Sequence, residues 1–487
     1  MPPKKRQLKT SSTSPSEYES DSSSRAKDLK RSRNRKTSDH STSENTENDE
    51  SNDNDATTLD PDPKHKLYTE WATSTGITIS SIAPITLSGR GTGLLATTPI
   101  RANQKLISVP PTSMLKPPTS FLTSQHPSLK SASPQAQLAA YLTLAARESP
   151  APPVWYQRSE SVWPSFDDFR SCMIALGDDA REVEVLKRNA PPGVLRPLER
   201  LEQDLERDLR DVAGLFSVAA TETQGRDGSG VKNEKEHGEQ EVNGKVTSSS
   251  DPEWKQSFVY HWILVNTRSF HWKPHGVREG SMVMCPFLDY MNHCPNGQGC
   301  TVTVSTHGYE LTANKDYKPG DEILATYGAH PNDKLLVHYG FILPDSPDDE
   351  IRLDHVILSR MTESQQSTLQ DVGFLGGYAL DPTTNELCFK TQVAIRSVLL
   401  TANEWEHYMG SGEDLASDKE GEVYAWLRPA LDEYAAQAES AIERLVSLRK
   451  DVKSSNTAFE SKLALLQARW VQIQQALERF MSQSYAD

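Results

Sequence analysis

The clearest hydrophobic rhythm lies near the C-terminal end of the 487-residue chain. Phe459, Leu463, Leu466, Trp470, Ile473, Leu477 and Phe480 recur at spacings of four and three. Upstream, Leu431, Tyr434, Ala438, Ala441, Leu445, Leu448 and Val452 repeat the alternation. Such spacing draws one apolar stripe along each of two helices. The polar stretch near Ser454-Ser455-Asn456 predicts that they turn back on each other as an antiparallel hairpin. A seam of this kind serves packing within a helical domain; a partner-binding surface is the sharper alternative.

Toward the N-terminus, folded sequence begins near His65. Tyr68, Trp71 and Ile77 mark a short amphipathic helix ending at Gly76. Ile77–Ile79, Leu94–Ala96 and Lys105–Val109 read as short strands set off by Gly and Pro. Ser133-Pro134 opens a helix, with serine as cap and proline in the first turn, and its apolar face carries Leu138, Tyr141, Leu142 and Ala145. Residues 155–216 read as helical, and 221–251 as a low-complexity, disordered insert rich in Gly, Glu, Lys and Ser. Short β segments are expected from Trp254 to about Pro344, and helices beyond.

Charge divides the first sixty or so residues. Lys4, Lys5, Arg6 and Lys9, then Lys30, Arg31, Arg33, Arg35 and Lys36, precede a stretch from Asp39 to Asp62 without Lys or Arg. With so few aromatics, this segment cannot bury enough apolar surface to offset its ordering entropy. Residues 1–64 are therefore expected to be a disordered charged tail. Its basic clusters are either a nuclear-localisation signal or plain solvated charge.

The whole chain is 36% hydrophobic with a formal charge of −15, which argues against bulk electrostatic binding to nucleic acid. Five scattered cysteines fit a reducing compartment. No apolar run reaches membrane-spanning length, and the N-terminus is not a secretory signal. Residence in the nucleus or cytoplasm is the expectation.

Three stretches carry candidate chemistry. Gly89, Gly91 and Gly93 sit in Ser88-Gly89-Arg90-Gly91-Thr92-Gly93-Leu94. A dinucleotide loop requires strand, glycines and then a helix, but here a strand-like segment ending at Pro99 follows. The glycines instead suit close approach of backbone to a ligand or a second strand, or an ordinary turn. Asp289, Asn292, His293 and Cys294 crowd the stretch Pro286–Cys294. Together with Cys300 and His307 they raise the alternative of a metal site, but the spacing lacks the cysteine pair of a closed zinc site. Lys318-Pro319-Gly320-Asp321-Glu322 leads a strand to Tyr327-Gly328, and Asn332, Leu335, Leu336, Tyr339, Gly340 and Phe341 follow.

The order of these stretches resembles the SET methyltransferase family: Gly89–Ala96 looks like its first motif, Asn292-His293 its central motif and Gly320–Gly328 its closing motif. The run Asn332…Leu335-Leu336…Tyr339-Gly340-Phe341, with Val265-Asn266-Thr267-Arg268-Ser269-Phe270, is similar to the Rubisco large-subunit methyltransferase branch, which includes fungal ribosomal-protein and other non-histone lysine methyltransferases. The motifs span roughly residues 66–345.

The resemblance implies an α+β fold. A pseudoknotted SET β-fold would occupy residues 65–345, with a helical insertion at about 112–255, and an all-helical substrate-binding domain would follow at 346–487. The 221–251 stretch departs from the compact family insertion. Only Cys388 follows Tyr327, so the cysteine-rich zinc segment of the histone-modifying branches is absent.

The resemblance also implies chemistry: methyl transfer from S-adenosylmethionine to a lysine of a non-histone protein, such as a ribosomal one. It makes Tyr327 the catalytic residue, touching both cofactor and target lysine. Gly91, Gly93, Leu94, Asn292 and His293 would hold the cofactor, and Arg268 its carboxylate, beside the substrate. Asp289 and Tyr339 would line the lysine channel. Leu95 stands where some relatives carry a basic residue. The expected partner is a protein substrate met by a monomer, with no direct nucleic acid, membrane or metal. The alternatives are an inactive SET-like protein-binding module and methylation of another side chain such as histidine.

Overall fold

The structure is a computed structural model, and it describes residues 61–118, 121, 129, 131–177, 180–224 (side chains to 216), 253–273, 280–415, 419–452 and 456–483. The expected tail up to residue 60 and residues 225–251 of the expected insert lie outside them.

Helix α1 (Pro63–Ser74) starts where Asp62 accepts from the Lys64 N–H at 2.9 Å, with proline in the first turn. It stops before Gly76, whose φ of +100° suits a residue without Cβ. Strands β1 (Thr78–Ile79), β2 (Ile82–Leu87), β3 (Gly91–Ala96) and β4 (Lys105–Val109) follow. The sequence reading does not anticipate β2, because Pro84 interrupts it. The strand is tolerated because it lies at a sheet edge.

The helical insertion contains α2 (Pro134–Ala146), α3 (Val154–Glu160), α4 (Phe166–Cys172), α5 (Ala180–Asn189) and α6 (Pro192–Gln224). Ser133 caps α2 by accepting from the Ala136 N–H at 3.0 Å. Helix α6 runs four residues into the stretch expected to be an insert. Next comes α7 (Glu253–Arg268), where short β segments were expected from Trp254. The correction has a physical cause. Phe258, Val259, Trp262, Ile263, Leu264 and Val265 are all buried, so α7 is apolar nearly all round and shows no amphipathic period to separate it from a buried strand.

Strands β5 (Ser269–Trp272), β6 (Ser281–Met284), β7 (Asn292–His293), β8 (Thr301–Ser305), β9 (Gly308–Thr312) and β10 (Glu322–Ala325) complete the β part, and α8 (Asn332–Tyr339) closes it. One sheet has the order β1-β4-β9-β8 and the other β2-β3-β10-β7. In the second, β10 pairs antiparallel with β3 (Ile323 opposite Leu94) and parallel with β7 (Ala325 opposite His293). Three distant pieces of sequence thus become neighbours.

The C-terminal part is helical: α9 (Asp354–Leu358), α10 (Glu363–Asp371), α11 (Phe389–Leu399), α12 (Ala402–Ser411), α13 (Glu420–Asp451) and α14 (Thr457–Ser482). It also holds one small sheet not read from sequence, of β11 (Ile351–Arg352), β12 (Ala379–Asp381) and β13 (Glu386–Leu387). Helices α13 and α14 form the antiparallel hairpin: Arg449 binds Glu460 at one end, and the Tyr424 hydroxyl donates to the Met481 carbonyl at 3.0 Å at the other.

Two cores result. The β part packs around Leu94, Ile107, Leu288, Leu311 and Ile323. The insertion and the C-terminal helices share the second, so Leu142, Trp262, Leu431 and Leu466 belong to one apolar cluster. Lys462 and Trp470 bind the backbone of the insertion, donating to the Leu176 carbonyl at 2.5 Å and the Asn189 carbonyl at 2.8 Å.

Candidate active site

The strand order builds the site. Ser88-Gly89-Arg90 turns β2 into β3, with Gly89 and Gly91 at positive φ. Gly93 needs its missing side chain for another reason. A Cβ there would stand 2.8 Å from the Asn292 amide nitrogen and 2.9 Å from Glu322 Oε1. Those two groups are bonded, Asn292 Nδ2 donating to Glu322 at 2.9 Å, and Glu322 also pairs with Arg90. Glycine at 93 thus lets an amide from β7 and a carboxylate from β10 close over β3. Gly91 is exposed with open space beside it, while Leu94 turns a fully buried side chain into the core.

Parallel pairing of β7 with β10 places Tyr327, two residues past Ala325, against His293. The Tyr327 N–H donates to His293 Nδ1 at 3.0 Å, and the rings lie 5.0 Å apart. Accepting at Nδ1 puts the proton of neutral histidine on Nε2. Burial, with His330 nearby, lowers the His293 pKa to about 4, so the ring is neutral at pH 7. Its Nε2 is buried and has no hydrogen-bond partner among the described residues.

The Tyr327 hydroxyl donates to the Met291 carbonyl at 2.6 Å. Burial raises its pKa to about 12, opposed by Arg268 and supported by Tyr339, Asp289 and Glu322. The phenol stays protonated, and groups from four segments act on it. Gly328, at a φ of +131°, bends the chain away beyond the tyrosine.

Arg268 ends α7 and reaches the next motif, its Nη1 donating to the Asp289 carbonyl at 2.8 Å. Asp289 lies in the short turn Leu288–Tyr290, entered through Phe287 at a φ of +69°, an unusual conformation for a bulky, fully buried residue. Helix α1 supports this turn: His65 Nδ1 bonds the Tyr290 hydroxyl at 2.7 Å, and the Tyr68 ring meets Tyr290 edge-on. Burial pushes the Asp289 carboxyl up to about 6, against the pull of Arg268.

Tyr339, the last residue of α8, completes the wall. Its ring lies 5.2 Å from Tyr327 and 6.2 Å from Phe341, and Phe341 in turn lies 6.0 Å from His293. His330 stacks on Tyr339 at 6.4 Å. Among the described residues, no group of three or more His, Cys, Asp or Glu side chains is placed to hold a metal ion.

Tyr327, Asn292, His293 and Gly93 therefore meet through β10, while Arg268, Asp289 and Tyr339 surround the phenol. Glu322, Arg90, Phe287 and His330 join them without having been singled out in the sequence. Glu322 stands inside the closing motif, and the alternation along β10 already separates it from the core-facing Ile323 and Ala325. No sequence spacing links it to Arg90.

This crossed sheet with its tyrosine–histidine contact defines a class, the SET domain. The SET-domain family model matches residues 91–328. That stretch of the chain is a SET domain, and its fold is like that of Rubisco LSMT. An LSMT SET domain bound to lysine and AdoHcy superimposes with a TM-score of 0.56 at 14% identity, covering 86% of this chain and 92% of that one. The Ribosomal lysine N-methyltransferase set11 of Schizosaccharomyces pombe is 29% identical over 203 residues, 39% of this chain and 51% of that protein. The SET domain-containing protein 4 of Homo sapiens is 22% identical over 232 residues, 44% of this chain and 51% of that protein. Each of these two sequence alignments spans about half of the relative's length.

Proposed function

We propose that the chain transfers methyl groups from S-adenosylmethionine to a lysine side chain of a non-histone protein, with ribosomal proteins the first candidates. The observation that carries this is the Tyr327 hydroxyl, held on the Met291 carbonyl at 2.6 Å beside the Asn292–His293 pair. The protein named for ribosomal lysine methylation among the relatives supports the substrate class. The LSMT SET domain of the same fold, solved with lysine and AdoHcy, supports the ligand pair.

The residues present fit the cofactor. Gly91 offers backbone with open space beside it, Gly93 lets the Asn292 amide come close, the buried His293 Nε2 lacks a partner among the described residues, and Arg268 supplies a guanidinium for a carboxylate. When bound, S-adenosylmethionine supplies a sulfonium methyl to an attacking nucleophile.

The chain's own residues prepare that nucleophile. A free lysine amine has a pKa near 10.4 and is almost wholly protonated at pH 7. Enclosure by Tyr327, Tyr339 and Phe341 disfavours the ammonium form. Because the Tyr327 hydroxyl spends its proton on Met291, its oxygen faces the amine as an acceptor. An amine N–H bonded there is held with its lone pair aimed along the channel, which removes orientational entropy from the barrier. Asp289, pushed up to about 6, lies close enough to act electrostatically on the phenol and extends the channel wall toward Arg268.

The test is methyl transfer. The purified chain is incubated with labelled S-adenosylmethionine and an undermethylated cell extract, and labelled peptides are identified by mass spectrometry. Methyl-lysine formed by the wild type and lost with Tyr327→Phe is the expected result. No label and no cofactor binding at near-millimolar concentration would defeat the proposal, and label on histidine would reassign the acceptor.

A further inference from the structure

A fully buried charge cluster lies away from the reacting groups yet grips the element that carries one of them. Arg469, on α14, is 0% exposed. Its Nε donates to Asp333 Oδ1 and its Nη1 to Asp349 Oδ2, both at 2.7 Å, and Nη2 reaches the Glu350 carbonyl at 3.1 Å. Asp333 is the second residue of α8, and Asp349 holds the start of the same helix by accepting from the Asn332 N–H at 2.9 Å. Gln472, one turn beyond Arg469, accepts from Asn332 Nδ2 at 3.2 Å and donates to the Leu343 carbonyl at 2.9 Å. From the other side α6 closes in: a Cβ at Gly193 would collide with the Asp333 carboxylate.

Replacing a buried ion cluster with apolar residues often costs nothing in stability, so its presence alone is weak evidence for a stabilising role. Its direction is informative. Three elements from three parts of the chain converge on the first turn of α8. The last residue of α8 is Tyr339, whose ring stands 5.2 Å from Tyr327. Six residues of helix carry a displacement at Asp333 over about 9 Å to Tyr339 as one rigid piece.

We propose that Arg469, with Asp333 and Asp349, is a positioning cluster: it fixes α8 so that Tyr339 closes the lysine channel on Tyr327, and so makes the width of that channel depend on the seat of helix α14. The inference rests on the methyltransferase reading above. It assigns Arg469 no contact with substrate or cofactor.

The test is calorimetry on the full chain, with S-adenosylhomocysteine titrated first and free Nε-monomethyl-lysine titrated into the loaded protein. Arg469→Lys keeps the charge but cannot hold both carboxylates in the guanidinium geometry. Lysine affinity is expected to fall about tenfold, with S-adenosylhomocysteine affinity unchanged within twofold. Gln472→Leu, at the edge of the cluster, is the variant that folds if Arg469→Lys does not, and is expected to weaken lysine binding about threefold. Wild-type lysine affinity in the folded variants, with only a lower Tm, would overturn the proposal and leave the cluster a stabilising one. A wild-type protein that binds neither ligand would instead overturn the methyltransferase reading beneath it.

Discussion

Gly93→Ala tests how tightly the cofactor side of the site is built. The added methyl would stand 2.8 Å from Asn292 Nδ2 and Leu87 Cδ1 and 2.9 Å from Glu322 Oε1. Carbon contacts settle at about 3.5–4.0 Å, so each neighbour must retreat by roughly 0.6–1.2 Å. Leu87 can swing its terminal methyl aside. Asn292 and Glu322 cannot both move without stretching the 2.9 Å bond between them. Overpacking costs about 1–3 kcal/mol and a hydrogen bond to a charged group is worth about 1.5–3 kcal/mol. Because neither side chain is fully buried and both can recover some water, a total of about 2–4 kcal/mol is expected. If 1.4–2.8 kcal/mol of that falls on the bound state, affinity for S-adenosylhomocysteine drops about ten- to a hundredfold. Titration calorimetry reads this directly. Gly297→Ala is the comparison: its φ is +77° but no atom lies within 4 Å of the added Cβ, so it carries backbone strain alone. It should lower the Tm slightly and leave binding unchanged. Wild-type affinity in Gly93→Ala, or equal damage from Gly297→Ala, would refute the steric reasoning.

Other substitutions probe the remaining parts. Tyr327→Phe removes one positioning hydroxyl and is expected to slow single-turnover methyl transfer about 10²–10³-fold, with S-adenosylhomocysteine affinity within threefold of wild type. Asp289 has a folded pKa of about 6 against an ordinary 3.8, so the folded state holds its proton more tightly and the Asp289 contribution to stability is lost as pH rises from about 4 to 6. Asp289→Asn should therefore raise the Tm relative to wild type more at pH 7.5 than at pH 4; an equal shift at both would show that the carboxyl is not desolvated. Leu466→Ala, at a fully buried position of the C-terminal hairpin, should cost about 2–5 kcal/mol in denaturant unfolding, and a cost under 1 kcal/mol would mean the helices are not packed as described.

Local rules made some elements legible and hid others. The Ser133-Pro134 start of α2 and the stripes of α13 and α14 are written in neighbouring residues, because capping and a four-three spacing act within one or two turns. Helix α7 was hidden because burial on every side erases the period that would identify it. Strand β2 was hidden by a proline that only its edge position excuses. The tiny β11–β13 sheet was hidden because its strands are two or three residues long and β11 lies far in sequence from its partner β12.

The candidate site divides the same way. By itself, the order of the glycine stretch, the Asn292-His293 pair and the Tyr327 strand pointed to the family and to the residues worth examining, since each is a short local pattern. Only the tertiary structure decided that β10 lies between β3 and β7, that Asn292 and Glu322 close over Gly93, and that Arg469 reaches Asp333 across 136 positions. Those contacts depend on strand pairing and on the burial of charge. Both are set by the whole packed chain, and neither leaves a mark in the spacing of the residues that make them.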